Sequence, residues 1–167
     1  SSLDRNIPGP NGEIPVRIYW PHARTEGESS PALILYHGGG WILGDIESHD
    51  AIARYLCRQG EVVVISVDYR LAPENKFPAG VEDSYAALEW VAANAAAIGI
   101  DAGRIALTGD SAGGNLTIVM TLLAQARSGP AIAFQIPVYP CVDCRKSADY
   151  SSRQKFGGGE YFLTSAD

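Results

Sequence analysis

One serine in this chain stands where covalent chemistry is possible. The run Gly109-Asp110-Ser111-Ala112-Gly113-Gly114-Asn115-Leu116 joins a short apolar segment, residues 104–108, to a long one ending near residue 126. A strand turning sharply into a helix lifts a hydroxyl clear of a sheet, and Gly109 and Gly113 leave room for the strained backbone of that turn. A hydroxyl is a weak nucleophile until a base takes its proton, and in this arrangement the base follows the serine in chain order. Yet His22, His37 and His49 all precede Ser111. The expectation is a nucleophile whose acid and base partners lie outside these 167 residues.

His37-Gly38-Gly39-Gly40-Trp41 is a second constellation, at the end of an earlier apolar run. Acyl transfer builds negative charge on a carbonyl oxygen, and backbone N–H groups stabilise it best where no side chain blocks their approach. Alone, three glycines describe a flexible loop equally well. Set one strand and loop before the serine turn, they read as an oxyanion-binding loop.

Short β-branched runs alternate with longer helical stretches, which predicts an α/β fold: a mostly parallel sheet with helices on both faces. Pro10-Asn11-Gly12-Glu13 marks a turn, so residues 5–7 and 14–20 form an antiparallel hairpin. A polar loop over 24–30 leads to a buried strand at 32–36. A helix over 48–59 follows, with Ser48 as its N-cap and Gly60 as its stop. Residues 61–68 are the most strand-like run, and 69–78 form a loop rich in proline and charge. Residues 80–97 carry Val81, Tyr85, Leu88 and Val91 at helical spacing, with Gly99 as the stop. Strands at 104–108 and 131–139 flank the helix that begins after Ser111, and Gly129-Pro130 ends that helix.

With 46% hydrophobic and 19% charged residues, the chain builds one domain or a large piece of one. A net charge of −6, with its 13 Lys and Arg scattered among acidic residues, offers no patch for a phosphate backbone, so nucleic acid is not an expected partner. No apolar run reaches the roughly 20 residues of a bilayer span, and the first residues lack a leader pattern, so a cytoplasmic protein is expected. Three cysteines fit a reducing compartment. Cys141-Val-Asp-Cys144 has the spacing of half a zinc site, but no second pair accompanies it, so the two are read as incidental thiols and no metal is expected. Cys57 falls on an apolar helix face and is assigned to the core.

Four motifs in order, His37-Gly38-Gly39-Gly40-Trp41, Tyr69-Arg70-Leu71-Ala72-Pro73-Glu74, Phe77-Pro78-Ala79 and Gly109 through Leu116, resemble the hormone-sensitive-lipase family of α/β-hydrolase carboxylesterases over roughly residues 14–143. The resemblance implies Ser111 as the nucleophile and the N–H groups of Gly39, Gly40 and Ala112 as the oxyanion hole. It gives His37 the ordering of the glycine loop and Asp110 the positioning of the serine turn. The implied substrates are small carboxylic esters, hydrolysed through an acyl-enzyme without cofactor. Members of the family continue well beyond this length, through a second cap segment and the strands that carry the triad acid and histidine. The chain is therefore expected to be the N-terminal half: an α/β-hydrolase core over residues 1–144 and the opening of a cap-like segment over 145–167. It would be inactive alone, associating with itself or with a complementary C-terminal fragment. A different class stays open at this point, a non-catalytic ligand-binding relative of the kind represented by the gibberellin receptors.

Several residues have plainer expectations. His22 and His49 are read as surface or capping residues without a positioned acid beside them. Arg70 and Glu74 invite an ion pair that holds a strand end. Tyr36 and Trp41 flank the glycine loop and serve either an acyl pocket or the core.

Overall fold

Strand β4, Val63–Val67, is buried along its whole length, which requires cover on both faces of the sheet it belongs to. In the computed structural model, which describes residues 1–22, 28–145 and 149–160, it lies inside a six-stranded sheet. The other strands are β1 (Ser2–Gly9), β2 (Gly12–Tyr19), β3 (Ser30–Tyr36), β5 (Ile100–Asp110) and β6 (Phe134–Val138). Their order is β1-β2-β4-β3-β5-β6. The hairpin β1–β2 and the β2–β4 pair are antiparallel, whereas β4, β3, β5 and β6 run parallel. The hairpin closes at the Gly9–Gly12 pair, with Gly12 at φ +130°, a conformation glycine adopts freely. The expected α/β class, with a mostly parallel sheet, is what forms.

Alternation along the strands sends side chains to two separate clusters. Ile34 and Tyr36 of β3, Val63, Ile65 and Val67 of β4, and Leu107 of β5 pack with three helices: α2 (Ala79–Ala93), α3 (Ala95–Ile98) and α4 (Ala112–Ala126). Leu33, Leu35 and Val64 face the opposite way onto Ala53 and Cys57 of α1 (Asp50–Gly60). Helices thus cover both faces, and Cys57 is core as expected. Leu88, Leu116 and Met120 are fully buried, and each contributes roughly 1.5–3 kcal/mol by leaving water. Among the described residues no helix is long and apolar enough to cross a membrane.

Several boundaries differ from expectation. Ser48 does not cap α1: its N–H donates to Asp45 Oδ1 at 2.6 Å and its Oγ accepts the Asp45 N–H at 2.9 Å, a closed turn that delays the helix to Asp50. Glu61, at φ 51°, takes the left-handed position past the helix end, and Gly60 stays helical. The helix expected over 80–97 breaks at Asn94, whose Nδ2 donates to Trp90 O at 2.8 Å, while Gly99 ends the second piece at φ 73° as expected. In the segment past residue 144 a short helix α5, Ser151–Phe156, forms; residues 146–148 and 161–167, with Tyr161-Phe162-Leu163, lie outside the described residues, as does most of the loop at 24–30.

Candidate active site

The parallel strands β3 and β5 end side by side, with Tyr36 opposite Gly109, so the residues that follow them meet. After β5 the chain reverses at Ser111, at φ 53° and ψ −113°, and enters α4. A non-glycine residue in that region is strained. Neighbours hold it there: Ser111 N–H donates to Val138 O at 3.0 Å, and Ser111 O accepts the Asn115 N–H at 3.0 Å and the Cys141 N–H at 3.3 Å. The side chain is half-buried, and among the described residues no histidine hydrogen-bonds its hydroxyl.

Glycines set how closely α4 approaches the sheet. A Cβ on Gly113 would lie 2.0 Å from Tyr36 O and 2.7 Å from His37 O. Such contacts between backbone atoms have no flexible end that can move aside, so side chains are excluded there.

The glycine loop opens directly beyond β3. Gly39 and Gly40 are exposed and adopt φ +120° and +63°. Gly39 O accepts the N–H groups of Ile42 and Leu43 at 3.1 and 2.9 Å, which closes a tight turn. Among the described residues the Gly39 and Gly40 N–H groups have no protein acceptor, and the Ala112 N–H, in the first turn of α4, has none within its helix.

Asp110 joins loop and turn. Its Oδ1 accepts the Gly38 N–H at 3.0 Å and lies 3.1 Å from His49 Nε2. A Cβ on Gly38 would fall 2.9 Å from the Asp110 carboxyl carbon, so carboxylate and loop backbone are in direct contact. His49 therefore differs from expectation: it is half-buried, has an acid beside it, and makes no capping bond with its side chain. Its other nitrogen, Nδ1, is 3.0 Å from Ser48 Oγ. The segment that carries it is fastened to β2, where Arg17 donates to Glu47 at 2.7 Å and Tyr19 donates to Asp50 at 2.8 Å.

His37 is fully buried beneath the loop. Its Nδ1–H donates to Gly38 O at 2.8 Å, its ring stacks on Tyr69 with centroids 4.2 Å apart, and Tyr69 OH donates to His37 O at 2.7 Å. Burial lowers its pKa below the ordinary histidine value of 6.5, which keeps the ring neutral. His22 is exposed.

The remaining expectations divide. Tyr36 is core, with its OH donating to Ser84 O at 3.1 Å, and Trp41 packs at the core's margin. Arg70 does not pair with Glu74, which is exposed. Instead its Nε and Nη2 donate to the two oxygens of Asp83 at 2.7 and 2.8 Å, and its N–H donates to the same carboxylate at 3.0 Å. Asp83 is 1% exposed, and a carboxylate that deep requires several charge-assisted bonds, which a loop residue in water cannot match. Among the described residues no three His, Cys, Asp or Glu side chains converge to hold a metal ion.

Proteins similar to this chain include esterases, one of them with a solved structure of the same fold. Carboxylesterase NlhH of Mycobacterium tuberculosis is 51% identical over 128 residues, which are 77% of this chain and 40% of NlhH. Carboxylic ester hydrolase LipN of the same organism is 46% identical over 169 residues, 98% of this chain and 43% of LipN. The solved hyperthermophilic esterase from Pyrobaculum calidifontis superimposes with a TM-score of 0.92 at 45% identity, over 98% of this chain and 53% of that one. The chain thus spans about half the length of the relatives it matches, or somewhat less. A family model described as alpha/beta hydrolase fold matches residues 33–167. On that match, and with carboxylesterases among its relatives, the chain belongs to the alpha/beta hydrolase fold family, in the hormone-sensitive-lipase group.

Proposed function

We propose that this chain carries the nucleophile and oxyanion half of a serine carboxylesterase for small carboxylic esters. The observation that supports it most directly is Ser111 in a strained turn whose preceding residue, Asp110, holds the exposed glycine loop by the Gly38 N–H. That contact fixes a hydroxyl and a set of open N–H donors relative to one another before substrate arrives. In this reading Ser111 Oγ attacks the ester carbonyl carbon, and the N–H groups of Gly39, Gly40 and Ala112 receive the negative oxygen. The alcohol leaves, and water hydrolyses the acyl-serine to release the carboxylic acid. His37, neutral and bonded to Gly38 O, shapes the loop from below.

The proton of Ser111 needs a base, and the three histidines here are otherwise placed: His37 bonded into the loop, His49 against Asp110, His22 exposed. The base and its orienting acid belong, in this proposal, to sequence beyond these residues, as do the cap and the acyl pocket. Residues 1–144 make the core and 145–167 open a cap-like segment.

In the full-length protein, Ser111→Ala is expected to lower kcat against a short-chain aryl ester by about 10⁴- to 10⁶-fold, the range for loss of a serine nucleophile. It is also expected to abolish covalent labelling by a fluorophosphonate. Retention of more than about a tenth of the activity removes Ser111 from the mechanism.

A further inference from the structure

The serine turn is gripped from its far side by a segment that carries two thiols. Beyond β6 the chain reaches Cys141, whose N–H donates to Ser111 O at 3.3 Å and whose carbonyl accepts Asn115 Nδ2 at 2.7 Å. Both partners sit at the start of α4, so movement of the residue 141 backbone is passed to the serine peptide. Cys144, three residues on, brings its sulfur to 3.0 Å from the Cys141 sulfur. Both thiols are free, Cys141 half-buried and Cys144 exposed.

We propose that Cys141 and Cys144 are a modifiable thiol pair that closes to a disulfide on reaction with a low-molecular-weight disulfide, and that closure alters the reactivity of Ser111 through the residue 141 backbone. The second part rests on the nucleophilic role proposed for Ser111. A disulfide bond is about 2.0 Å long, so the sulfurs need to approach by only about 1 Å. The fold already holds the two sulfurs against one another, so joining them requires no long-range closure of the chain.

Cys144 is the sulfur a solute meets first. Its thiolate attacks one sulfur of the external disulfide, expelling one thiolate and leaving a mixed disulfide. The Cys141 thiol is pushed up to about 11 by its hydrogen bond with Cys144 and by burial, so it keeps its proton until the second step. There the Cys141 sulfur attacks the Cys144 sulfur and displaces the second external thiolate. Two protein thiols and one external disulfide give one protein disulfide and two external thiols, which take up the two protons; excess thiol reverses the exchange. The displaced Cys141 backbone then pulls on Ser111 O and Asn115 together.

Tryptic cleavage at Arg127 and Arg145 isolates both cysteines on residues 128–145, and Cys57 falls on residues 55–58. After exposure of the folded full-length protein, which carries the base proposed for Ser111, to glutathione disulfide and quenching with an alkylating agent, the 128–145 peptide is expected to be lighter by two hydrogens and unalkylated. Dithiothreitol should restore two alkylatable thiols. The rate of fluorophosphonate labelling at Ser111 is expected to change by about fivefold or more between the two states, the lower end of ordinary coupling between sites. Cys144→Ser, an exposed substitution, should keep the reduced-state rate under both conditions. Two alkylated cysteines, or a persistent glutathione adduct, after the oxidant overturns the pair. A closed disulfide with an unchanged labelling rate overturns the coupling. No labelling in either state refutes the role of Ser111 and the coupling with it, while the peptide masses still decide the pair.

Discussion

His37 is a buried base whose charge state couples the glycine loop to pH. Its Nε2 has no protein partner among the described residues, and burial holds its pKa below 6.5. The unfolded chain binds a proton there near 6.5 and the native chain does not, so unfolding takes up a proton as pH falls through that value. Stability from this group is complete above about pH 6.5 and is lost on acidification, by up to about 1.4 kcal/mol per pH unit. Asp50, held low chiefly by Arg54, has the same sign but acts only below the ordinary carboxylate value of 3.8, so the two windows separate. Denaturant midpoints measured against pH should show the upper step in the native chain and not in His37→Asn. Gly39 is the sharper probe of chemistry: at φ +120° its Cβ would lie 2.6 Å from the Leu43 carbonyl carbon. In the full-length protein Gly39→Val should displace the N–H donor and lower kcat by about 10²-fold or more, roughly 3 kcal/mol, with a smaller change in KM. A rise confined to KM would make the loop a binding element instead. Ser111 and the glycines were legible in the sequence because their spacing is local and their conformations restrict residue type. Asp83 and the His49–Asp110 contact were not, since each joins residues 13 and 61 positions apart that only the sheet brings together.

Element packing turns on the approach of α4 to the ends of β3 and β5. At Gly113 an added methyl meets Tyr36 O at 2.0 Å, backbone against backbone, whereas at Gly40 it meets open space. Gly113→Ala should therefore destabilise the fold by about 3 kcal/mol, at the upper end of overpacking costs. Gly40→Ala should cost only the roughly 1 kcal/mol of a side chain held at φ +63°. Urea unfolding of the two variants separates them, and equal costs would mean that α4 can draw back from the sheet. The order of elements was readable because apolar periodicity differs between strand and helix. Boundaries were set instead by side-chain bonds that periodicity does not register, Asp45 with Ser48 before α1 and Asn94 with Trp90 after α2. Tyr69, quoted within a motif but given no role, proved to be the stacking partner of His37; the signal available was an aromatic beside a buried strand end.

At the scale of the molecule, β6 is the edge of the sheet that exposes apolar side chains. Its pairing with β5 sets Phe134, Ile136 and Val138 beside Ala106, Thr108 and Asp110, on the side of the sheet that α1 covers only further along. They are 65%, 45% and 38% exposed, an apolar stripe along a strand whose outer edge pairs with no other described strand. Such an edge is a template for another chain. The 167-residue chain in isolation is expected to associate, with itself or with a complementary fragment, and Ile136→Lys should reduce that association by placing a charge in the stripe. On the roles proposed for Ser111 and the glycine loop, and with no histidine after Ser111 in these 167 residues, the isolated chain should hydrolyse esters some 10⁶-fold more slowly than an intact serine hydrolase, near the residual rate of triad-deleted enzymes. Light scattering and an ester assay on one preparation test both expectations. A monodisperse 17.8 kDa monomer that turns over ester faster than about 1 s⁻¹ would overturn them. In that outcome the base has to come from within the chain, and His49 becomes the first residue to replace, because Asp110 already stands against its ring.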